Sequence, residues 1–565
     1  MAAAPDRVLR VDLSERTVTS ERVPERWRQR YVGGKGLGAR YLYEELPPGT
    51  DPLGPENVLC FALGPVSGLL PGETRYAAVT KSPLTGAFLD SYAGGRFPNE
   101  LVGALGDHLL LLVTGAADEP VRLVIENGDA TIEPARRWGD DAATTCEAHD
   151  GAVACIGPAG EHGVSYATIA SGPNADHHAG RGGAGTVMGA KRLKAVVARG
   201  TPPEGLQRLR AEYAERYAED PTGRWLAASE TLETVDFADE AGVLSSRGWS
   251  DRGFDGTDGV GIEAARAAAH GREREEASVS GGFRVETDAG ETVPRGATAM
   301  TLGAGLDIGD FDAVAELGEV CNRLGMDLIS AGNAVAWAAR ASEEGVIEEE
   351  YEFGDPEGAR SLIDDIGARR GPLADALAEG VAVAAERFGG EGLVPTVKGM
   401  ELPAYDPRGA ASMALAYATS DRGGCHRRAR PVEREPFEGP FSPQEAARAV
   451  IDAQDTRAVR WSLVADDFTG ETLADDGAEW LDAVGAPHEG VADAGERIWN
   501  LVRLFNVREG FGRADDTLPD PIDADALDTR FEALLDAYYD ARGWDDDGVP
   551  TAATLSRLDL EHLEP

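Results

Sequence analysis

The hydrophobic and polar positions of residues 1–200 alternate mostly with the period of β-strands. The stretch RVLRVDLSERTVTSERV places apolar and polar residues in turn on both sides of a polar turn, which predicts a β-hairpin. Short apolar runs follow, separated by Gly and Pro turns: NVLCFAL, RYAAVTK, HLLLLVTG and VRLVIENGDATIEPA. These patterns predict a β-rich N-terminal region.

Beyond residue 205 the apolar positions change to the spacing of helices. Two sets of residues each recur on one helical face: Val314, Leu317, Cys321 and Leu324, and Ile498, Leu501, Val502 and Phe505. Gly- and Pro-rich segments at 201–205 and near 390–405 indicate domain boundaries. We therefore predict an α+β multidomain protein, with a β-rich domain at 1–205 and two mainly α-helical domains at 206–395 and 396–565.

The charge of the chain limits its partners. The net charge is −45 over 565 residues, and the acidic residues are spread along the sequence. Nucleic acid and anionic membranes bind basic patches, so we expect neither as a partner. An evenly acidic, lysine-poor surface is typical of proteins that stay soluble at high salt, where self-repulsion is screened. We therefore predict a halophilic acidic surface.

The sequence also indicates the cellular location of the protein and the state of its cysteines. No apolar run is long enough for a transmembrane span, and MAAAPDRVLRVDL lacks a signal-peptide core, so we expect a cytoplasmic protein. The five cysteines, Cys60, Cys146, Cys155, Cys321 and Cys425, form no CxxC pair. This spacing disfavours both a disulfide framework and an ordinary cysteine-bound metal or cluster.

Lysine is confined to glycine-bearing segments. Only five of the 54 basic residues are lysine, and they lie in GGKGLGAR, VTKSPLTG, VMGAKRLK and VKGMEL. Glycine-rich backbone beside a cation is one way to receive an anionic cofactor, and we interpret the four segments together in that way. The alternative is that glycine turns simply tolerate a lysine.

GGKGLGAR alone is a weak match to a dinucleotide-binding loop. No acidic ribose ligand follows it at the expected distance, so a glycine-rich start of a helix is the preferred interpretation. The strand–helix alternation of a parallel sheet is also missing from residues 1–200. A nicotinamide dehydrogenase is therefore disfavoured.

Arginines beside paired glycines form a second pattern. DSYAGGRF contains Gly94 and Gly95, and AGRGGAGTVMGAKRLK contains Arg181 followed by Gly182. Glycine lets backbone N–H groups approach a ligand, and arginine binds phosphate through a forked pair of donors. We predict that these turns, together with Arg75, bind an anionic ligand. The alternative is two tight turns with solvated arginines.

Two motifs in the helical half carry candidate polar groups. In NRLGMDLISAGNAV, Asn322 and Asp327 can accept hydrogen bonds from the N–H groups of a ring, and the structural alternative for Ser330 is to cap the second helix. In SDRGGCHRRARP, His426 lies in a glycine-rich loop among arginines, where we predict acid–base chemistry. A structural or exposed histidine is the alternative.

Together these segments resemble the aldehyde ferredoxin oxidoreductase family of tungsten enzymes. The resemblance runs almost end to end and rests on motifs in the family's order: GGKGLGARYLYEEL, TRYAAVTKSPLTGAF, GRGGAGTVMGAKRLKAV, GMDLISAGNAV, AYDPRG, AYATSDRGGCH, ERIWNLVRLFNVREGF and DDTLP. It implies a β-rich base under a bis-pterin cofactor, tungstopterin or molybdopterin, with two helical domains closing over it. It also implies a magnesium ion that bridges the two pterin phosphates.

The resemblance implies roles for particular residues. The cofactor contacts would come from the arginine–glycine turns and from two copies of the family's pterin motif: Arg75, Gly94, Gly95, Arg181, Gly182, Gly183, Asn322, Gly325, Met326, Asp327 and Asp455. His426 falls at the family's proposed proton donor. The substrate would be a small-molecule aldehyde and the electron acceptor ferredoxin or a partner subunit. A homodimer is one option for the assembly.

The chain departs from the family at its [4Fe-4S] cluster. The positions of the four cluster cysteines hold Ser278, Gly281, Val285 and Arg460, and none of these supplies the thiolate that a cluster needs. We therefore predict that this chain carries no cluster. A second departure is the family's carboxylate motif, which here reads Pro294-Arg295-Gly296-Ala297-Thr298, so that its acid–base carboxylate is replaced.

Two hypotheses of function follow. The first is an aldehyde oxidoreductase that forms a carboxylic acid, moves a proton through His426 and passes electrons to an external acceptor. The second is a catalytically degenerate protein that binds the pterin cofactor as a carrier, or as the silent partner of an active paralogue. The cofactor motifs favour the first, whereas the loss of cluster and carboxylates favours the second.

Overall fold

The computed structural model of the chain describes residues 4–70, 72–275, 280–468, 473, 477–518, 522 and 524–563. The strands are β1 (Arg7–Asp12), β2 (Thr17–Arg22), β3 (Leu59–Ala62), β4 (Tyr76–Lys81), β5 (Phe88–Ala93), β6 (His108–Thr114), β7 (Val121–Glu126), β8 (Asp129–Pro134), β9 (Ala152–Cys155), β10 (Ile169–Ser171), β11 (His177–Ala179), β12 (Leu193–Arg199), β13 (Ser245–Ser246), β14 (Asp251–Arg252), β15 (Gly271–Arg272), β16 (Phe283–Thr287), β17 (Gly290–Thr292), β18 (Thr396–Val397) and β19 (Met400–Glu401).

The helices are α1 (Glu25–Tyr31), α2 (Gly34–Glu45), α3 (Arg96–Leu105), α4 (Ala142–Glu147), α5 (Pro158–Glu161), α6 (Ala184–Ala190), α7 (Gln207–Glu219), α8 (Pro221–Ser229), α9 (Thr234–Glu240), α10 (Thr257–Val260), α11 (Ile262–Ala268), α12 (Gly296–Thr298), α13 (Phe311–Leu324), α14 (Leu328–Glu343), α15 (Pro356–Ala368), α16 (Pro372–Glu379), α17 (Val381–Phe388), α18 (Ala411–Ala418), α19 (Glu435–Glu438), α20 (Pro443–Leu463), α21 (Ala478–Val484), α22 (Val491–Arg508), α23 (Ala524–Arg542) and α24 (Ala552–Arg557).

Two six-stranded sheets form the N-terminal half, in the strand orders β2-β1-β6-β3-β4-β5 and β11-β10-β9-β12-β7-β8. β1 and β2 pair antiparallel, as the alternating pattern predicts, and β7 with β8 forms a second hairpin. Only the pairs β1–β6 and β7–β12 of these two sheets are parallel. Mixed sheets of this kind differ from the parallel sheet of a nicotinamide-binding fold.

Helices and the second sheet cover the first sheet on both faces, which explains why its strands include continuous apolar runs. On β6, Leu110 and Leu112 pack with apolar residues of α2, α20 and α22, whereas Leu111 and Val113 pack between the two sheets. The periodic residues of α13 and α22 lie in buried cores as predicted. A β-rich half followed by a helical half confirms the predicted fold class, while the domain limits stay predictions.

In the described part of the chain, no helix combines the length and apolar character that a bilayer-spanning helix requires.

The five lysine side chains are buried and bind acceptors within the protein. Four form ion pairs and the fifth binds backbone carbonyl groups: Lys35 with Asp90 and Asp421, Lys81 with Glu509, Lys194 with Glu161, Lys398 with Asp516, and Lys191 with Pro55 and Gly115. The ammonium groups therefore bind acceptors of the protein itself, and a role of the four segments in receiving an anionic cofactor stays a prediction.

Candidate functional site

A cavity of about 390 Å³ lies where the end of β5 and the turn after β11 face the loop that follows α18. Its volume is within the range of small-molecule sites. Seven arginines line it: Arg75, Arg181, Arg274, Arg295, Arg422, Arg427 and Arg430. No lysine of the described residues lines this wall. Six acidic residues line it as well: Glu73, Asp176, Glu230, Asp327, Asp466 and Asp467. Arginine binds anionic oxygen through several donors, so an anionic ligand would bind to the donors that these carboxylates leave unoccupied.

Two of these arginines have unused donors. Among the described residues, Nε and Nη1 of Arg181 and Nε of Arg422 are buried without a hydrogen-bond partner. Other donors of the same groups are fixed, since Arg181 Nη2 donates to Gly424 O at 2.8 Å and Arg422 Nη1 donates to Asp90 O at 2.7 Å. A buried donor without an acceptor costs free energy. A bound anion would satisfy these groups, so the residues present fit an anionic cofactor.

The turn at Arg181–Gly183 has a left-handed backbone at three consecutive residues, with φ values of 69°, 76° and 86°. At Gly183 a Cβ atom would lie 2.1 Å from Ser165 O, so only glycine fits. Left-handed φ at a non-glycine residue such as Arg181 is a strain that often accompanies ligand sites. Of the three, Arg181 alone lines the cavity, and the two glycines give the turn its shape.

The first arginine–glycine turn also reaches the cavity. Arg75 and Gly94 line it, and Arg75 Nη2 lies 3.2 Å from both Glu73 Oε2 and Asp466 Oδ2. Gly95 lies just behind, where its N–H donates to Glu73 Oε1 at 3.1 Å. Arg75 is thus held by two carboxylates that face the same space.

His426 and Cys425 enter the cavity from the loop after α18. Burial, and then the positive charges of Arg430 and Arg181, hold the pKa of His426 well below 6.5, so its imidazole is neutral at pH 7. Burial acts to raise the pKa of the Cys425 thiol, but Arg422 and other arginines outweigh it and lower the pKa to about 7. Arg422 Nη2 donates to Cys425 Sγ at 3.1 Å.

Asp327 lines the cavity and begins α14. Its Oδ2 accepts from Ser330 N at 3.0 Å, so Asp327 caps the helix and the alternative role of Ser330 as the cap does not hold. Ser330 instead donates to Glu401 Oε2 at 2.8 Å. The Arg181 Nε atom lies 3.6 Å from Asp327 Oδ2, which joins the two predicted ligand segments in one wall.

The other residues of the two pterin motifs lie outside the lining of the cavity. Asn322 donates to Thr292 Oγ1 at 3.3 Å beside a separate small void. Gly325 ends α13 with φ of 69°, and Met326 is buried in the helical core. Asp455 on α20 accepts from Arg542 Nη1 at 2.6 Å. Their roles as cofactor contacts stay predictions.

Three of the four family cluster positions lie in the described part of the chain, and Ser278 lies outside it. Gly281 packs against Glu273, Val285 is buried on β16, and Arg460 lines a second cavity. Arg295, from the altered carboxylate motif, lines the main cavity. Its guanidinium donates to Glu273 Oε2 at 2.8 Å, so a cation of this chain stands in the wall.

Sequence analysis missed most of the acidic and histidine residues of the wall. Burial opposes ionisation of Glu73, but His177, Arg75 and other cations outweigh it and lower the pKa of Glu73 to about 2. Burial also opposes protonation of His177, but Glu73, Asp176 and Glu273 raise its pKa to about 9. Because the chain has 99 acidic residues, no single carboxylate could be recognised from the sequence as part of the site. The pair of adjacent histidines in NADHHAG was the one local feature of the sequence that indicated this part of the wall.

A second cavity of about 550 Å³ shares part of its lining with the first. Arg430, Asp467 and Phe468 line both cavities. In the second, Trp225 packs edge-on against Phe468 with ring centroids 5.9 Å apart. Tyr405 also lines it, and the Tyr405 ring lies 5.6 Å from that of His426. The two cavities therefore meet beside the predicted proton carrier.

The protein thus combines a β-rich base, a helical cover and an arginine-lined cavity between them that fits an anionic group. The model of the N-terminal domain of aldehyde ferredoxin oxidoreductase matches residues 8–200, and the model of domains 2 and 3 matches residues 208–560. The chain belongs to the aldehyde ferredoxin oxidoreductase family.

Several relatives extend over the whole chain. The tungsten-containing aldehyde ferredoxin oxidoreductases of Pyrococcus abyssi and Pyrococcus horikoshii are 34% and 35% identical, over 99% of both chains in each case. The WOR-like subunit of an aliphatic sulfonate oxidoreductase from Pyrococcus furiosus is 25% identical over 99% of this chain and 97% of its own.

A solved structure shares the fold. The active-site complex BamBC of benzoyl coenzyme A reductase, in complex with 1,5-dienoyl-CoA, aligns with a TM-score of 0.82 and 24% identity over 100% of this chain and 98% of that chain. This likeness concerns the fold alone.

Proposed function

We propose that the protein oxidises an aldehyde to a carboxylic acid with a tungsten or molybdenum bis-pterin cofactor. The observation that carries the proposal is the set of buried, unused donors of Arg181 and Arg422 in a cavity that also contains His426. Full-length similarity to tungsten-containing aldehyde ferredoxin oxidoreductases supports it. When bound, the cofactor supplies the two-electron acceptor for the oxidation.

The residues of the cavity have distinct tasks in this proposal. Arg75, Arg181 and Arg422 would hold the anionic groups of the cofactor, together with the magnesium ion that the family resemblance implies. His426 would carry the proton of the reaction, because its imidazole lies in the main cavity beside Tyr405 of the second cavity.

We propose further that this chain carries no [4Fe-4S] cluster and gives its electrons to an external acceptor. Gly281, Val285 and Arg460 stand at three of the cluster positions, and Ser278 stands at the fourth in sequence. Of the chain's five cysteines, Cys425 alone belongs to the cavity lining. The acceptor would be ferredoxin or the electron-transfer subunit of a partner protein, and a homodimer remains one option for the assembly.

A silent cofactor-binding protein is the second candidate function. Arg295 in the cavity wall favours it, since a cation replaces the carboxylate that the family resemblance implies. Both candidates bind the cofactor, so binding alone does not separate them. A measurement of aldehyde turnover does separate them.

The test is metal analysis and turnover on protein purified from its native host. We expect tungsten or molybdenum near one equivalent, no stoichiometric iron and sulfide, and aldehyde-dependent reduction of a viologen dye. Less than about a tenth of an equivalent of either metal would contradict cofactor binding, because a cofactor that carries the chemistry must be present in most molecules. Full metal content without turnover on any aldehyde would identify the silent partner.

The second cavity indicates the substrate class. Its wall contains Trp225, Phe237 and Phe468 among eight charged residues, and Phe468 also lines the main cavity. Aromatic surfaces bind planar apolar rings better than short polar chains. We therefore propose that aryl aldehydes are preferred over acetaldehyde.

We expect Trp225→Ala to lower kcat/KM for benzaldehyde by up to about 10-fold, because an aromatic pair contributes about 0.5–1.5 kcal/mol beyond the area it buries. The value for acetaldehyde should change by less than about 3-fold, since it fills little of the cavity. Trp138→Ala is the control, because Trp138 is 37% exposed and lies outside both cavity linings. Equal losses for both aldehydes would contradict the assignment.

The halophilic surface is also a proposal, supported by the net charge of −45. The screening length falls from about 30 Å at 0.01 M salt to about 3 Å at 1 M, so added salt weakens repulsion between surface carboxylates. We expect the thermal unfolding midpoint to rise by several degrees when KCl is raised from about 0.1 M to about 2 M. Sucrose is the uncharged control. A midpoint that falls with KCl would contradict the proposal.

A further inference from the structure

Three potential metal ligands meet at the edge of the main cavity. His177 Nε2 lies 3.1 Å from Glu273 Oε1 and 3.7 Å from Asp176 Oδ1. All three ligand atoms lie within 4.8 Å of one another. In a tetrahedral zinc site with bonds of about 2.0–2.2 Å, neighbouring ligand atoms are about 3.3–3.6 Å apart. The two measured separations bracket that value without rearrangement.

The second ring nitrogen of the same histidine has the partner that metal-bound imidazoles usually have. His177 Nδ1 lies 3.4 Å from Glu73 Oε1. That oxygen also accepts from Gly95 N at 3.1 Å and from Arg274 Nη1 at 2.9 Å, so its position is fixed. A carboxylate behind a ligating histidine orients the ring toward the metal and raises its basicity.

Asp176 supplies the observation that points to an absent ligand. Its side chain is 7% exposed, and its Oδ1 atom has no hydrogen-bond partner among the described residues. A buried carboxylate oxygen without a donor is costly, and native structures seldom leave one. The oxygen that lacks a donor is the one that faces His177 Nε2.

The segment that resembles the family's cluster loop orients the third ligand. Gly282 N donates to Glu273 Oε2 at 3.0 Å, and Arg295 Nη2 donates to the same oxygen at 2.8 Å. These donors occupy Oε2 and leave Oε1 directed at His177. The segment that lacks the family's cluster cysteines therefore positions a carboxylate oxygen of Glu273, which is a hard metal ligand.

We propose that Asp176, His177 and Glu273 bind one divalent transition-metal ion, with Zn²⁺ as the best-matched ion. One imidazole and two carboxylates form a donor set that zinc accepts, and magnesium and calcium prefer oxygen alone. Three protein ligands leave a fourth position open, and the lining residues Asp176 and His177 place it beside the cavity. The proposal does not rest on the pterin cofactor.

The experiment is a calorimetric titration of Zn²⁺ into full-length protein from its native host, after chelator treatment. We expect one ion per chain, with binding weakened at least about 10-fold in Asp176→Asn and in Glu273→Gln. Glu291→Gln is the matched control, because His270, Glu286 and Glu291 form a more exposed group of the same composition. Unchanged binding in that variant is expected, and loss there alone would overturn the proposal.

Asp176→Asn is the least disruptive change, because Asp176 Oδ1 has no hydrogen bond to lose. X-ray absorption of the zinc-loaded wild type adds a measurement that needs no variant. We expect a shell of nitrogen and oxygen with one imidazole. Sulfur in the shell, or no stoichiometric zinc at all, would overturn the assignment.

Discussion

His426→Ala is expected to lower kcat for aldehyde oxidation by about 100- to 10,000-fold, the usual contribution of one positioned acid–base group. The imidazole lies at the junction of the two cavities, and burial and four nearby arginines hold its pKa well below 6.5. At pH 7 it is therefore neutral and able to accept a proton. KM should change little, because the ring makes no described hydrogen bond that would serve substrate binding.

The measurement is steady-state turnover with a viologen acceptor, at equal metal content in all proteins. His162→Gln is the control, since His162 Nδ1 bonds to Gly367 O at 2.9 Å and lies outside the cavity lining. His178 is the informative competitor. It lines the cavity, burial above all lowers its pKa to about 4, and its Nε2 has no partner among the described residues. If His178→Gln abolished turnover while His426→Ala did not, the proton carrier would be His178.

The spacing of apolar residues predicted strands and helices well where one face of the element is buried. The β1–β2 hairpin and the helices α13 and α22 all follow from the spacing of apolar residues, which fixes the buried face of each element. The arginine–glycine turn at Arg181 followed from local chemistry as well, because only glycine permits its left-handed backbone.

The partners of charged residues could not be predicted in the same way. Lys35 lies in a glycine-rich segment that indicates an anion site, yet its anion is Asp421, which is 386 residues away in sequence. His177 and Glu273 come from different elements and carry no metal-ligand spacing in the sequence. Which carboxylate among 99 pairs with which cation depends on tertiary packing, and no local pattern records it.

The same buried charges lead to the second large effect. We expect Asp90→Asn to lower the free energy of unfolding by about 3–5 kcal/mol, the usual cost of breaking a buried ion pair. Asp90 on β5 is fully buried and pairs with Arg428 and with Lys35, which lies 3.2 Å away. Asn keeps the shape but leaves these cations with Asp421 as their one carboxylate partner. The midpoint of urea unfolding, measured in high salt, reports the loss.

The pH dependence of the free energy of unfolding gives an independent check on the charge pairing of Asp90. Burial alone would raise the pKa of Asp90, but Arg428, Lys35 and Arg422 outweigh it and hold the pKa below its ordinary value of 3.8. A carboxylate with a lowered folded-state pKa stabilises the fold above its unfolded-state pKa and loses that contribution as pH falls through the folded value. Wild type should therefore lose stability below about pH 4 more steeply than Asp90→Asn. Parallel acid curves would contradict the role of Asp90.

A double-mutant cycle then separates charge pairing from simple packing. Lys35→Met alone removes a buried cation from two carboxylates, whereas in the Asp90→Asn background it removes a cation that has already lost one partner. We expect the second loss to be smaller than the first by about 1–3 kcal/mol. Additive losses would mean that the two side chains act by volume alone. Arg422 and Arg428 connect the loop of His426 to Asp90 on β5, so the same carboxylate also joins that loop to the sheet.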